Sequence, residues 1–531
     1  MSTLIPPFIL LTPEEMREAE AIAIAGGIAS AALMERAGGV VADQIIKAMS
    51  ARPALVACGP GNNGGDGFVI ARRLKDAGWP VRVGLFGKRE ALTGDPAMMA
   101  DLFDGNIEPL QPALLEGTGL VIDALFGIGL SRPIEGELAD FVKATNAHVA
   151  PVFAIDIPSG IDAGSGAVLG AAVRANTTFT FATKKPGHLL FPGRAFCGGT
   201  AVVDIDLPAE AVRRVGPKLA ENGPGLWGGA FPRPRFDQHK YDLGHAAVVA
   251  GPKYMTGAAR LAARGALRAG AGLVSIFADD GAADVIAPVV TSVMVKLTQK
   301  AEAITEALGD LRFSVALIGP GLGVSDEAKQ KVNAVLGAPQ RVVLDADGLS
   351  NFESTANELF ASLSVHDVIT PHEGEFFRLF PDEKPTSGTH FDKLASARRA
   401  AQKAGTVIVL KGADTVIASP DGRTAINGNA PADLATAGAG DVLAGFIAGL
   451  MAQGMPTFEA ACAGVWLHGG CGQVGGPGLI AEDLPDLLPQ VLRALMAPPK
   501  KQQETAASNV AGHPGNGDGG NRDAAPTQHL S

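Results

Sequence analysis

Two glycine-rich runs end in aspartate: Gly-Pro-Gly-Asn-Asn-Gly-Gly-Asp-Gly over 59–67 and Ala-Thr-Ala-Gly-Ala-Gly-Asp over 435–441. Each stands where a strand or loop hands over to a helix. Bare glycine lets backbone N–H groups approach a phosphate, and a helix N-terminus adds about half a positive charge there. Two such runs point to two phosphate-bearing ligand sites. The composition agrees, being 47% apolar but only 5% aromatic, with 68 Gly. That fits α/β architecture with many tight strand-to-helix turns, and excludes a coiled coil or a disordered chain. At 531 residues the chain is long enough for two substantial domains.

Net charge is −11, from 44 basic and 55 acidic residues. No broad positive surface is available to neutralise a phosphate backbone, which argues against nucleic acid as a partner. Cys58, Cys197, Cys462 and Cys471 are scattered without a C-x-x-C pair, so buried free thiols are expected, not a zinc site or disulfides. No basic segment precedes the first apolar run, and no apolar stretch of about 18 residues suggests a membrane span. A cytoplasmic protein without a membrane partner is expected.

Thr12-Pro13-Glu14-Glu15 has the pattern of a capping box with Pro at the first helical position, and predicts a helix running toward Met34. Ala54 to Cys58 reads as a buried strand, Phe68-Val69-Ile70 with Leu74 as a helix face, and Val81 to Phe86 as the next strand, a βαβ unit. Runs at Leu120 to Asp123, Val152 to Asp156, Thr177 to Phe181 and Ala201 to Ile205 extend a Rossmann-like, doubly wound sheet over 1–210. Residues 211–235 are rich in Gly and Pro, lack periodicity and read as a linker. A second α/β pattern fills 236–496, and the polar stretch 497–531 reads as a disordered tail.

Gly59, Gly61 and Gly64 form a G-x-G-x-x-G run in the dinucleotide-fingerprint position. The next strand, however, runs into Gly87-Lys88-Arg89 and offers no acid for a ribose, so ordinary nicotinamide redox chemistry is not expected. Two more loops, over 123–133 and 156–162, also follow strands of this domain. Strand C-termini converge on a crevice in such a sheet, so Asp123, Asp156, Ser159 and Asn63 can meet around one hard cation or one substrate. Aspartates that merely cap helices would give the same pattern.

In the second domain, the N–H groups of Ala439 and Gly440 can form an anion hole, with Asp441 placed to accept a hydroxyl proton. No Gly-Lys-Ser/Thr follows, so this is not a Walker loop. Lys411 to Thr415, Gly319 to Gly323, Asp345 to Leu349 and Thr370 to Phe376 each follow a predicted strand. Taken singly they are ordinary: a hairpin, a tight turn, a core histidine at His372.

The runs N-N-G-G-D, D-A-L-F-G-I-G and D-I-P-S-G-I-D resemble the NAD(P)H-hydrate epimerase family over roughly 11–208. The resemblance implies that Asn62, Asn63, Gly64, Gly65, Asp66, Gly127, Ile128, Gly129, Leu130, Ser131, Arg132, Pro133 and Asp156 contact a hydrated nicotinamide nucleotide. It also implies a potassium ion at Asn63, Asp123 and Ser159. Asp156 is the candidate acid/base, and Lys184 and Lys185, read as exposed, have at most an assisting part.

The runs H-K-Y-D-L-G-H, T-P-H-E-G-E and A-T-A-G-A-G-D, in that order, resemble the ribokinase-like superfamily over roughly 237–496, in its ADP-dependent NAD(P)H-hydrate dehydratase branch. This implies a hydrated-nucleotide site at Ala258, Gly321, Gly323, His372 and Asp441, with Asp441 catalytic. Lys411, Gly412, Ala413, Asp414, Thr415, Thr436, Ala437, Gly438, Ala439 and Gly440 would hold ADP or ATP with Mg2+. No role is assigned within 430–434, where the loop is longer than the family's usual spacing.

The joint expectation is a homo-oligomer that epimerises NADHX and NADPHX and dehydrates their S forms. A ribokinase-like small-molecule kinase with a non-catalytic N-terminal nucleotide-binding domain is the alternative.

Overall fold

The fold is taken from a computed structural model that describes residues 4–497. The tail expected to be disordered therefore lies, but for Ala497, outside the described residues. The first sheet has seven parallel strands, in the order Ile107–Pro109, Val81–Leu85, Ala54–Cys58, Leu120–Ala124, Val152–Ile155, Thr177–Phe181, Gly199–Val203. Alternate residues enter opposite cores: Ala54, Val56 and Cys58 pack on one face, Leu55 and Ala57 on the other. Both faces are covered, so the strands read in sequence as continuous apolar runs.

The capping box forms as expected. Glu15 N–H donates to Thr12 Oγ1 at 3.2 Å, and Thr12 N–H donates to Glu15 Oε2 at 2.8 Å. Its helix, Pro13–Ala25, stops well short of Met34, and a second helix runs Ser30–Ala48. The break falls at Gly26-Gly27, where Gly27 takes φ 102°, a conformation open to glycine at little cost.

The second sheet has ten strands, in the order Met294–Leu297, Leu273–Ala278, His245–Val249, Phe313–Ile318, Arg341–Leu344, Val368–Ile369, Val407–Leu410, Val416–Ala418, Thr424–Ile426, Leu219–Glu221. Val416–Ala418 runs antiparallel to both its neighbours. Helices Gly257–Arg268, Ala439–Ala452 and Thr457–Gly475 cover one face, and Ala301–Leu308, Asp326–Leu336 and Lys393–Ala404 the other.

The 211–235 segment is not a free linker. Leu219–Glu221 pairs in parallel with Thr424–Ile426 and ends the second sheet, and the following Trp227 is buried in that domain's core. The N-terminal segment joins in as well, with Glu221 N–H donating to Phe8 O at 2.7 Å and Leu10 N–H to Leu219 O at 3.1 Å. A three-residue strand is too short to show periodicity, so its Gly- and Pro-rich flanks masked it. All four cysteines are free and buried. Among the described residues no helix is long and apolar enough to cross a membrane.

Candidate active sites

The strand Ala54–Cys58 pairs with Val81–Leu85 on one side and Leu120–Ala124 on the other, so the winding of the sheet reverses there. Loops leaving such a point diverge and leave a crevice. Here it is a cavity of about 370 Å³ whose lining includes Arg17, Glu20, Asn62, Asn63, Asp66, Gly127, Ile128, Asp156 and Lys185. The loop glycines are needed for close approach: a Cβ on Gly59 would overlap Leu125 O, and one on Gly64 would overlap Gly59 O.

Asp156 adopts φ 65°, a region that non-glycine residues occupy only under constraint. Its Oδ2 accepts from Ile128 N–H at 3.0 Å, and its Oδ1 accepts from Lys185 Nζ at 2.9 Å and Thr180 Oγ1 at 3.2 Å. Contrary to the expectation of an exposed lysine, Lys185 is 0% exposed, and its Nζ also donates to Phe181 O at 3.1 Å. Lys184, one residue earlier, pairs instead with Glu221 at 2.8 Å. Burial pushes the Asp156 carboxyl up, but the Lys185 charge and hydrogen bond outweigh it and leave the group below its usual range. His188 has its pKa lowered to about 4 by burial, so the ring is neutral. Its Nδ1 accepts from Lys185 N–H at 2.9 Å, leaving Nε2–H for Asp156 O at 2.8 Å.

On the same cavity, burial together with the negative charges of Asp156 and Glu20 holds Asp66 well above the usual carboxylate range. Burial likewise raises Glu20. Glu20 comes from the capped helix Pro13–Ala25, outside every glycine loop, so no motif marks it. The cavity thus sets a carboxyl whose proton affinity is lowered, Asp156, against two whose affinity is raised, Asp66 and Glu20, the kind of contrast that acid/base chemistry uses.

Asp123 and Ser159 do meet. Ser159 N–H and Oγ–H donate to the two Asp123 oxygens at 2.8 and 2.6 Å, and burial raises the Asp123 pKa to about 6. Asn63 is 8% exposed, and among the described residues neither its Oδ1 nor its Nδ2 has a partner. Buried amide atoms left unpaired cost roughly 1–3 kcal/mol each, which points to a ligand. A Cβ on Gly127 would lie 3.2 Å from Asn63 Oδ1 and 2.7 Å from Asp156 Oδ2, so glycine keeps the space between them open.

The remaining expected contacts divide. Leu130, Ser131, Arg132 and Pro133 line a neighbouring cavity of about 430 Å³ that shares Phe126 and Gly129 with the first. Gly64 and Gly65 are buried, and a Cβ on either would overlap Gly59 O or Met34 Sδ respectively.

In the second sheet the same reversal lies between His245–Val249 and Phe313–Ile318. There a Cβ on Gly251 would overlap Gly321 O, and one on Gly321 would lie 3.3 Å from Ala258 Cβ. Gly323 N–H donates to Asp347 Oδ2 at 2.8 Å. His372 is exposed, not a core histidine. It caps the helix Glu373–Leu379, its Nδ1 accepting from Gly374 N–H at 3.0 Å and its Nε2 lying 3.3 Å from Glu375 Oε1, while its backbone forms an isolated parallel β-bridge with Lys411.

Gly438, at φ 85°, caps the helix Ala439–Ala452, and Asp441 sits in its first turn. A Cβ on Gly440 would lie 3.5 Å from Lys411 Nζ and 3.9 Å from Asp345 Oδ2. The helix N-terminus therefore stands against the Lys411–Asp345 ion pair, itself 2.7 Å long. Burial and then the Asp345 charge raise the Asp441 pKa to about 6, against the pull of Lys411. A carboxylate so placed is a base matched to near-neutral pH.

Lys411 to Thr415 form a closed turn, with Gly412 N–H donating to Thr415 Oγ1 at 3.2 Å. The Asp414 side chain is not free for a nucleotide. It is 7% exposed, its Oδ1 accepts from Lys393 Nζ at 2.8 Å, and its Oδ2 accepts from the N–H of Phe191, a first-domain residue, at 2.8 Å. Thr436 and Ala437 lie on the strand-free approach to the helix.

Two family models match the chain: YjeF-related protein N-terminus over 30–187 and NAD(P)H-hydrate dehydratase over 246–484. The chain is 34% identical to the bifunctional NAD(P)H-hydrate repair enzyme Nnr of Thermofilum pendens, over 88% of this chain and 93% of that one. It is 35% identical to the enzyme of the same name from Coxiella burnetii, over 90% and 98%. Among solved structures it is similar to the ADP/ATP-dependent NAD(P)H-hydrate dehydratase from Bacillus subtilis co-crystallised with ATP/Mg2+, at 29% identity and TM-score 0.43, over 52% of this chain and 98% of that one. With two α/β domains, a family model matched on each and relatives matched across both, the chain belongs to the family of bifunctional NAD(P)H-hydrate repair enzymes.

Proposed function

We propose that the first domain interconverts the R and S forms of hydrated NADH or NADPH, and that the second dehydrates the S form at the expense of ADP or ATP. The observation that carries this reading is the contrast between two aspartates. Asp156 is buried and held ionised by Lys185 inside a cavity, whereas Asp441 is raised to about 6 at a helix N-terminus.

The hydrated ring bears its hydroxyl on the carbon next to the ring nitrogen. Asp156 takes the hydroxyl proton as the carbonyl forms, the C–N bond breaks towards nitrogen, and Asp66 protonates that nitrogen. Closure from the other face, with both protons returned, gives the other epimer. Potassium suits the oxygen set of Asn63, Asp123 and Ser159, the unpartnered Asn63 amide being the supporting feature. When bound it supplies a fixed positive charge for the nucleotide's phosphates.

In the second domain Asp441 takes the proton of the same hydroxyl, which attacks the terminal phosphoryl group; the bridging P–O bond breaks and the nucleotide leaves one phosphate shorter, AMP from ADP or ADP from ATP. The Ala439 and Gly440 N–H groups stabilise the charge that develops there. Phosphate then leaves, a proton is lost from the adjacent ring carbon, and the dihydropyridine is restored. Magnesium would accompany the nucleotide oxygens and neutralise them. The net charge of −11 supports a small-molecule enzyme that does not act on nucleic acid.

The test is to incubate the full chain with mixed epimers and each nucleotide, following nicotinamide absorbance and epimer composition. Both epimers should disappear while reduced nicotinamide appears. A stable phosphorylated product without restored absorbance would overturn the dehydratase assignment.

A further inference from the structure

We propose that Arg194, a residue of the first domain, positions the adenine-nucleotide site of the second by clamping its two loops together. The proposal rests on the reading of Lys411 to Thr415 and of the approach to Gly438 as the nucleotide loops. Arg194 opens the short helix Arg194–Cys197. Its Nη2 donates to Gly428 O at 2.7 Å and its Nη1 to Ala413 O at 3.4 Å. Ala413 lies inside the first loop. Gly428 begins the segment that leads to the anion hole at 438–440.

The surroundings hold this clamp in place. Phe191 N–H donates to Asp414 Oδ2 at 2.8 Å, and the Phe191 ring lies 5.6 Å from the Arg194 guanidinium carbon. Lys393 Nζ donates to Asp414 Oδ1 at 2.8 Å and to Lys411 O at 3.3 Å. Asn427 N–H donates to Thr415 O at 2.9 Å, so the two loops already run side by side where Arg194 grips them. On the far side of Gly428, a Cβ would meet Glu221 Oε1 at 3.3 Å, and Glu221 is held by Lys184.

Asp414 is thereby explained: it belongs to the nucleotide loop but is spent on the domain contact. Backbone N–H groups bind phosphate well only when they are presented in fixed geometry. A guanidinium fork spans two carbonyls on separate loops, whereas an ammonium serves as a single point.

The experiment compares Arg194→Met, Arg194→Lys and Thr415→Val with the parent in the full chain, measuring KM for ADP, dehydration kcat and the epimerisation rate. Losing one charge-assisted clamp should raise KM for ADP roughly tenfold in Arg194→Met. Dehydration kcat and epimerisation should each stay within about twofold, a split that general loss of structure would not produce. Arg194→Lys, which keeps one contact, should show a smaller rise. It carries the test alone if Arg194→Met does not fold.

KM for ADP unchanged in both Arg194 variants, or all activities falling together, overturns the proposal. If Thr415→Val also leaves KM unchanged, the reading of the loop as a nucleotide site falls instead.

Discussion

Replacing Lys185 by Met keeps most of the stem and removes the cation beside Asp156. Lys185 is 0% and Asp156 6% exposed, with 2.9 Å between the charged atoms. A buried carboxylate stripped of its partner takes up a proton instead of staying charged. With an unfolded pKa of about 3.9 and about 1.36 kcal/mol per unit, holding it protonated at pH 7 costs at most about 4 kcal/mol. That agrees with the ~3–5 kcal/mol typical of breaking a buried pair.

The pH dependence separates this cost from lost packing. In the parent, the folded pKa of Asp156 lies below the unfolded one. Its stabilisation is therefore present above about pH 3.9 and lost as pH falls through the folded value. In the variant the folded pKa lies above the unfolded one, so the penalty shrinks by about 1.4 kcal/mol per unit as the pH is lowered, to about 1.5 kcal/mol at pH 5. Hydrogen exchange of the amides of strand Val152–Ile155 in the full chain, at pH 5 and pH 7, measures both values. A loss equal at the two pH values, or below about 1 kcal/mol at pH 7, refutes the buried-pair argument.

Asp441→Asn should lower nucleotide-dependent dehydration by roughly 10²–10⁴-fold and leave epimerisation intact, as read by nicotinamide absorbance and epimer composition. Because Asp441 must be ionised to act and its pKa is about 6, kcat/KM for dehydration in the parent should fall tenfold per unit below about pH 6; an acid limb near pH 4 would contradict that environment. Asp156→Asn should stop epimerisation and spare dehydration, so that only the S half of a mixed substrate is consumed promptly. Gly64→Ala forces a Cβ onto Gly59 O, where both sides are backbone, and should cost about 1–3 kcal/mol or more together with epimerisation; a fully active variant would show that the close approach is not needed.

The loops of both sites were readable because their chemistry is local. Gly64 is required by its backbone contact with Gly59, five residues earlier, and Gly438 by its own positive φ at a helix start. Strands such as Ala54–Cys58 and Val407–Leu410 were readable because burial on both faces writes itself as an apolar run. The short strands Ile107–Pro109, Met294–Leu297 and Thr424–Ile426 escaped because three or four residues carry no period.

By itself, the sequence determined two α/β domains, the loops at their strand ends and the residue types able to do acid/base and phosphate chemistry there, since all of these follow from short-range sterics and patterning. Only the tertiary structure decided which charges meet. It buried Lys185 against Asp156, brought Glu20 to Asp66 from a separate helix, and set Asp345 and Lys411 against the helix of Asp441. It also turned a supposed linker into a sheet edge and gave Asp414 to Phe191 of the other domain. Proton affinities in a low-dielectric interior depend on neighbours distant in sequence and close in space, and no local pattern records them.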